Sequence, residues 1–440
     1  MLEPTKKPLS LTFILTILTA IVLIFPLMSF QSQLAQGDHG RDLYSFDQTF
    51  QGAVPYRDYS SQNGPLMPYY YSLFYLLFGS SIQTTLFAYY LLIILTGIFI
   101  YEVGRCYLSP FASYLCALWY WTYRHGEFFY TYNHAGAICL LAAVLLCLFR
   151  YIRYPRDSYV HWGTFLLFFI TLIRPNIGLS SAIAFYLCVA LTDYKYQIAV
   201  RKQKIPRYIG QFLLVCTGAF IIYWLLNLNT PKFASKTDLN YLSHAEWFGF
   251  LKAFPIFGQT LFNTFLGSSL RKLFAVFLLL CVLLSRRYIK NKQLNVDQKR
   301  IFFLTFASLG IFFAFNFLEF ILKPQSFRMY WVYFVLIILI ISVIDVGKNY
   351  FSNKIYQLAF LFIPLAMAFS FQTQFQEYVA KSKSPRNLLD INGNTVYLDP
   401  SSREWLFTTY NTYDFISKNV PEDEKIICIP YCPLHYYLPK

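Results

Sequence analysis

Charge is what this sequence has least of: 13% of its residues are Asp, Glu, Lys or Arg, against 56% hydrophobic and 20% aromatic. A chain of 440 residues with that balance cannot cover a water-soluble surface, so the ordinary globular classes are excluded and a polytopic membrane protein is left. Acids are scarcer still, 22 against 37 Lys and Arg, for a formal net charge of +15. No soluble segment interleaves a basic stripe with stacking aromatics, so the excess does not describe a nucleic-acid surface. It fits cytoplasmic loops of a membrane protein instead. Internal repeats and low-complexity tracts are lacking too, which excludes repeat arrays. Nine cysteines make no disulfide scaffold in so long a chain. Cys106, Cys116, Cys139, Cys147, Cys188, Cys216 and Cys281 fall in or beside apolar runs, as small hydrophobes do. Cys428 and Cys432 lie in the polar tail, where a bridge and two free thiols both stay open, and His435 alone is too little to complete a zinc site.

What is present is a ladder of apolar runs. Lys6, Lys7 and Pro8 precede the first, Leu9 to Phe30, which exceeds the core of a cleaved signal (about 7–15 residues) and lacks a good cleavage site, so it is expected to be retained as a span. The runs predict about eleven helices, near 9–30, 83–104, 108–122, 135–150, 158–173, 177–193, 208–228, 268–285, 301–322, 330–346 and 355–371. The fold class is therefore all-α polytopic membrane protein. Lys and Arg test the ladder independently: nineteen fall in the loops it places inside and nine in those outside. That bias puts the N-terminus in the cytoplasm of a multi-pass plasma-membrane protein, and an odd span count puts the tail outside.

Two regions follow: residues 1–371, a transmembrane domain with a first external loop at 31–82, and 372–440, a small extracytoplasmic α/β segment. In the tail, Ser401 and Glu404 after Pro400 form a capping box that starts a helix to about Asn419, and Lys425–Ile429 suggests a strand. So few aliphatic residues make a poor core alone, so the tail is expected to rest on the membrane domain.

Polar density is concentrated in the first loop, from Asp38 to Pro65. A helix over 38–51 would put Asp38, Arg41, Asp42 and Ser45 on one face and Leu43, Phe46 and Phe50 on the other, an interfacial helix with its charged stripe toward water or a protein cavity. Gly52, Pro55 and Gly64-Pro65 then turn the chain back.

The order D-x-G-R-D-L-Y (Asp38–Tyr44), Q-G-x-V-P-Y-R-D-Y (Gln51–Tyr59) and N-G-P-L (Asn63–Leu66) resembles the first external loop of bacterial GT-C glycosyltransferases, relatives of the dolichyl-phosphate-mannose protein mannosyltransferases. The resemblance implies a GT-C-like transmembrane fold and transfer of a hexose or pentose from a polyprenyl-phosphate donor to a lipid, glycan or protein acceptor on the outer face, with inversion. It makes Asp38 the catalytic base, and where the family commonly has a second adjacent acid this chain has His39. Read from the residues alone, Asp38 suits a helix N-cap equally well. Asp42, four residues on, would hold Arg41, orient the acceptor, share a divalent ion with Asp38 or form a plain surface ion pair. Glu127, in Y-R-H-G-E-F-F-Y-T-Y-N-H, is the second acid that the resemblance would bring beside the first, with Tyr132 and Asn133 from the same loop, like Arg41 and His39, as acceptor-orienting groups.

Arg57, Lys323 and Arg328 are the cations for a departing phosphate, the latter two also reading as interfacial anchors. Arg174-Pro175-Asn176 breaks a span near the outer face, as a hinge or as a further donor contact. No cofactor is implied; a divalent ion, if used, would draw on Asp38 and Glu127, with His125 or His134 suited by ligand type. The expected partners are a polyprenyl-phosphate sugar, its acceptor and membrane lipids, and no nucleic acid. A polysaccharide polymerase or ligase is the enzymatic rival. A transporter or flippase is the other, disfavoured because predicted span centres are nearly free of charge.

Overall fold

The computed structural model describes residues 11–24, 30–31, 37–59, 61, 63–122, 132–196, 201–227, 296–322, 330–348, 388–391, 394–398, 411–412, 414–416 and 418–421. Its helices are α1 (Leu11–Ile24), α2 (Gly37–Phe50), α3 (Leu66–Phe78), α4 (Ile82–Arg105), α5 (Pro110–Thr122), α6 (Tyr132–Arg153), α7 (Asp157–Ile173), α8 (Pro175–Lys195), α9 (Arg201–Asn227), α10 (Val296–Leu322) and α11 (Tyr330–Lys348). Three short strands accompany them: β1 (Phe30–Gln31), β2 (Leu388–Ile391) and β3 (Asn394–Leu398). Among the described residues, five helices are long and apolar enough to cross a bilayer, over Ile82–Arg105, Tyr132–Arg153, Pro175–Lys195, Pro206–Leu226 and Lys299–Phe317. Shorter apolar helices fill the bundle between them. The chain is a multi-pass α-helical membrane protein.

Nine of the expected spans coincide with α1 and α4 to α11; those at 268–285 and 355–371 lie outside the described residues. Helix α3 was not expected. Its thirteen residues contain no charge, but they are fewer than a span needs, and Pro65 and Gly79 bracket them as turn residues do. Pro68 is tolerated because it falls in the first turn, where its missing N–H has no partner to lose.

The spans pack through close contacts rather than through hydrophobic exclusion, which lipid cannot supply. At Gly97 of α4 an added Cβ would lie 2.2 Å from the Trp121 ring of α5. The indole therefore lies on the α4 backbone, where its Nε1 donates to the Ile93 carbonyl at 3.1 Å.

Contacts at the helix termini sort the bundle into two ends. At one, Arg150 of α6 meets Glu102 of α4 at 3.2 Å and Arg207 of α9 meets Asp157 of α7 at 2.8 Å. Tyr151 of α6 and Tyr208 of α9 both donate to buried Asp193 of α8. Lys195 lies over Phe303 at 4.7 Å and Arg300 over Tyr196 at 5.1 Å, joining α8 to α10. These are the termini that the charge ladder groups together, so we call this the basic end.

Asp345 of α11 belongs to it as well, accepting from both the backbone N–H and the hydroxyl of Ser109 at 2.8 Å. Ser109 in turn caps α5 by accepting from Ala112 N–H at 3.3 Å, with Pro110 as the first helical residue. Asp345→Ala removes the shared acceptor and is expected to cost about 1.5–3 kcal/mol, the range for a hydrogen bond to a charged group. Thermal unfolding in detergent measures it.

The opposite end holds α2, α3 and the three-stranded sheet. Strand β3 lies between its antiparallel neighbour β2 and its parallel neighbour β1, in the order β1-β3-β2, with Phe30 opposite Tyr397 and Gln31 opposite Leu398. The tail is thus tied by backbone pairing to the chain between α1 and α2. Described residues between 411 and 419 are helical, in keeping with the expected helix, whereas the proposed strand at 425–429 lies outside the described residues.

Candidate functional site

Helix α2 forms where the spacing places it, Gly37–Phe50 rather than 38–51, with Asp38 and His39 in its first turn. It ends on Gly52, whose φ of +94° only glycine adopts without strain, while the N–H groups of Gln51, Gly52 and Ala53 bond back to the Asp47, Thr49 and Gln48 carbonyls. Of the two surroundings left open for its charged stripe, water or a protein cavity, the structure has protein. Asp42, Leu43, Ser45, Phe46, Asp47 and Thr49 are all buried. Helix α3 covers one flank. On another, the returning turn bears Tyr59, whose hydroxyl pairs with Thr49 Oγ1 at 2.7 Å and whose ring meets Tyr44 edge-on at 6.3 Å.

Asp42 is 1% exposed and takes hydrogen bonds on Oδ1 from Arg41 Nε at 3.4 Å and Nη2 at 3.3 Å. A charge so buried needs a compensating partner, and Arg41, itself largely covered, supplies it. Beneath them stands an aromatic wall. Phe46 stacks on Tyr71 of α3 at 4.1 Å, and Tyr132 at the start of α6 lies 6.1 Å from Phe46, 6.0 Å from Tyr71 and 5.5 Å from Tyr89. The Tyr71 hydroxyl donates to the Tyr132 carbonyl at 3.2 Å. On the next residues of α6, Asn133 is buried and His134 sits edge-on to Trp331 of α11 at 5.1 Å. The first turn of α6 therefore joins α2 and α3 to the start of α11.

Asp47 was not singled out from the sequence, yet it is 4% exposed and accepts from Gln51 Nε2 at 2.8 Å and Ser80 Oγ at 3.1 Å. It lies off the Asp38–Ser45 face, which is why the face pattern passes over it. These bonds fasten the end of α2 to the turn before α4.

The motif Asn63-Gly64-Pro65 seats the loop. Gly64 N–H donates to the Ile173 carbonyl at 2.8 Å, Arg174 Nη1 donates to Asn63 Oδ1 at 2.9 Å, and Tyr56 and Ser61 hydroxyls donate to the Asn63 carbonyl at 2.6 and 2.8 Å. Tyr56 holds φ at +67°, an uncommon value for a bulky residue, and its ring also rests 5.9 Å from Tyr223 of α9. The break that Arg174-Pro175-Asn176 makes between α7 and α8 thus serves as the dock for the first loop.

Arg57 is not drawn into this cluster. Its fork closes on Asp58 through Nε at 2.9 Å and Nη2 at 2.8 Å, on the exposed side of the turn. That bond, with the Val54 N–H, holds the Asp58 carboxyl down at about 2, below its ordinary 3.8. A depressed folded-state value favours folding above the unfolded-state value and fades as pH falls through the folded one. The stability difference between wild type and Asp58→Asn is therefore expected to stay constant from pH 8 to about 5 and to shrink only below about 4, as thermal unfolding across pH will show.

Glu127, Arg124, His125, Lys323, Arg328, Cys428 and Cys432 lie outside the described residues. Among the described residues no three His, Cys, Asp or Glu side chains gather as metal ligands, and Cys106, Cys116, Cys139, Cys147, Cys188 and Cys216 are free thiols.

No protein-family model matches the sequence, and no curated protein does. Solved structures do match. ArnT from Cupriavidus metallidurans, bound to undecaprenyl phosphate, aligns over 97% of this chain and 84% of its own with a TM-score of 0.56 at 13% identity. The Archaeoglobus fulgidus oligosaccharyltransferase, in a complex with Zn and sulfate, aligns over 96% of this chain with a TM-score of 0.53 at 12% identity. The fold is that of the GT-C membrane glycosyltransferases. A second structure of the archaeal enzyme, AglB with an inhibitory peptide and a dolichol-phosphate, gives 0.51 at 12% identity. This chain spans 58% and 61% of the length of those two archaeal chains. At such identities the likeness is one of fold.

Proposed function

We propose that the chain is a membrane glycosyltransferase that moves a sugar from a polyprenyl-phosphate donor to an acceptor hydroxyl at the α2 end of the bundle, with inversion and with Asp38 as the base. The observation that carries this is the GT-C fold with the motif-bearing helix α2 seated in it, its Phe46 against the aromatic wall of α3 and α6. ArnT, bound to undecaprenyl phosphate, and AglB, in complex with a dolichol-phosphate, support a polyprenyl-phosphate carrier.

In the reaction, the acceptor O–H gives its proton to Asp38 as its oxygen forms the new bond to the anomeric carbon. The bond from that carbon to the phosphate oxygen breaks on the opposite face, and the polyprenyl phosphate leaves with the electron pair. Asp42, paired with Arg41, positions the helix that carries the base. Lys323, Arg328 and Glu127 complete the proposed site, the cations at the departing phosphate. Arg57 would have to leave Asp58 to join them. The α2 end then faces the outside and the basic end the cytoplasm.

Ionisable side chains in the described spans cluster at helix ends, among them Glu102, Asp193 and Asp345, and not at span centres, which disfavours a transport pathway. Incubating purified protein with a radiolabelled polyprenyl-phosphate sugar and membranes of its source tests the reading. Label should move into an acceptor, and label left wholly on the donor would reject it. Mass spectrometry of surface glycans from cells lacking the chain would name the sugar and acceptor.

A further inference from the structure

Asn133 is 3% exposed, and among the described residues its Oδ1 has no hydrogen-bond partner. Its neighbours along the helix are both closed off by rings: Tyr132 by Phe46, Tyr71 and Tyr89, and His134 by Trp331. A buried amide oxygen in an aromatic setting calls for a counterpart that the described residues do not supply. The counterpart has to be a donor, because an amide oxygen only accepts. A phosphate dianion offers acceptor oxygens alone and cannot fill that role; a sugar hydroxyl can.

We infer that Asn133 is a specificity-determining contact, accepting a hydrogen bond from a hydroxyl of a lipid-linked sugar and making none to the lipid phosphate. The inference rests on the glycosyltransferase reading and adds to it a division of the site: cations read the phosphate, and the first turn of α6 reads the sugar. The aromatic wall around Tyr132 supplies apolar faces of fixed shape, and the amide supplies direction. Whether the sugar belongs to the donor or to a lipid-linked acceptor, the recognising chemistry is the same hydroxyl.

The test is native mass spectrometry of the purified full-length protein incubated with a total lipid extract of its source membranes, and separately with undecaprenyl phosphate. Wild type should retain a sugar-bearing lipid, whose mass tells a monophosphate donor from an acceptor. Asn133→Leu keeps the branching of the side chain but removes the acceptor. It should lower that retention by about tenfold or more, as expected when a site built around a hydroxyl loses its partner, with undecaprenyl phosphate retained as before. Asn133→Asp keeps an acceptor oxygen and should restore much of the retention.

Equal retention by wild type and Asn133→Leu would overturn the inference. So would a parallel loss of undecaprenyl phosphate, or a wild type that holds no sugar-bearing lipid. Failure of wild type to hold undecaprenyl phosphate would instead count against the glycosyltransferase reading itself.

Discussion

Asp38→Asn is expected to reduce sugar transfer by about 10²–10⁴-fold, the span over which a positioned general base contributes, while the protein inserts and purifies as wild type does. The amide has nearly the shape of the carboxylate but cannot take a proton. Asp38 stands in the first turn of α2, one turn before Asp42. The two acids should separate in their effects. Asp42 is buried against Arg41, so Asp42→Ala breaks a covered ion pair and is expected to lower stability by about 3–5 kcal/mol. Asp38→Asn should leave the melting temperature where it was. Transfer assays in membranes, paired with thermal unfolding of each variant, distinguish the roles. Wild-type turnover by Asp38→Asn would remove it as the base.

Gly64→Ala should be nearly as damaging by a different route. A Cβ at this position would fall 2.0 Å from the Leu172 carbonyl oxygen and 2.5 Å from its carbon. Both are backbone atoms at the end of α7, so no side chain can swing aside. The turn at 63–65 would have to lift from the break between α7 and α8, giving up the Gly64–Ile173 and Arg174–Asn63 hydrogen bonds. Overpacking of this kind costs about 1–3 kcal/mol or more. Because the same loop roofs α2 through Tyr59, the displacement should also cost transfer activity by about tenfold, in line with the sensitivity of positioned groups to small shifts. A melting temperature and a transfer rate equal to wild type would show that the turn tolerates the methyl group and that its docking is not what seats α2.

How much of this could be read beforehand varied with the physics of each element. Long apolar runs ending in charge or turn residues fix their own boundaries, and Ile82–Arg105 and Asp157–Ile173 differ from the expected spans by a residue or so. Helix α2 followed from its spacing as well, but spacing says which residues share a face and not what covers them. The stripe of Asp42 and Ser45 was open to water or to protein, and only the packing of α3 and of the 54–65 turn decides for protein. Helix α3 itself was hidden because a thirteen-residue apolar run is too short for a span and carries no period to mark it. The sheet was hidden for another reason: β1 is two residues long and pairs with β3, far along the chain, a contact that no local pattern encodes. Of the candidate site, the first loop was legible as a motif. The joining of Tyr132, Asn133 and His134 to α2, α3 and α11 needed the fold.

The central claim is that the α2 end of the bundle holds the phosphate of a polyprenyl carrier within reach of the first turn of α2. Determining the structure of the protein with undecaprenyl phosphate added measures this directly. The account predicts the phosphate at that end, between the first turn of α2 and the start of α11. Phosphate bound instead at the basic end, among Arg150, Arg207 and Arg300, would contradict it.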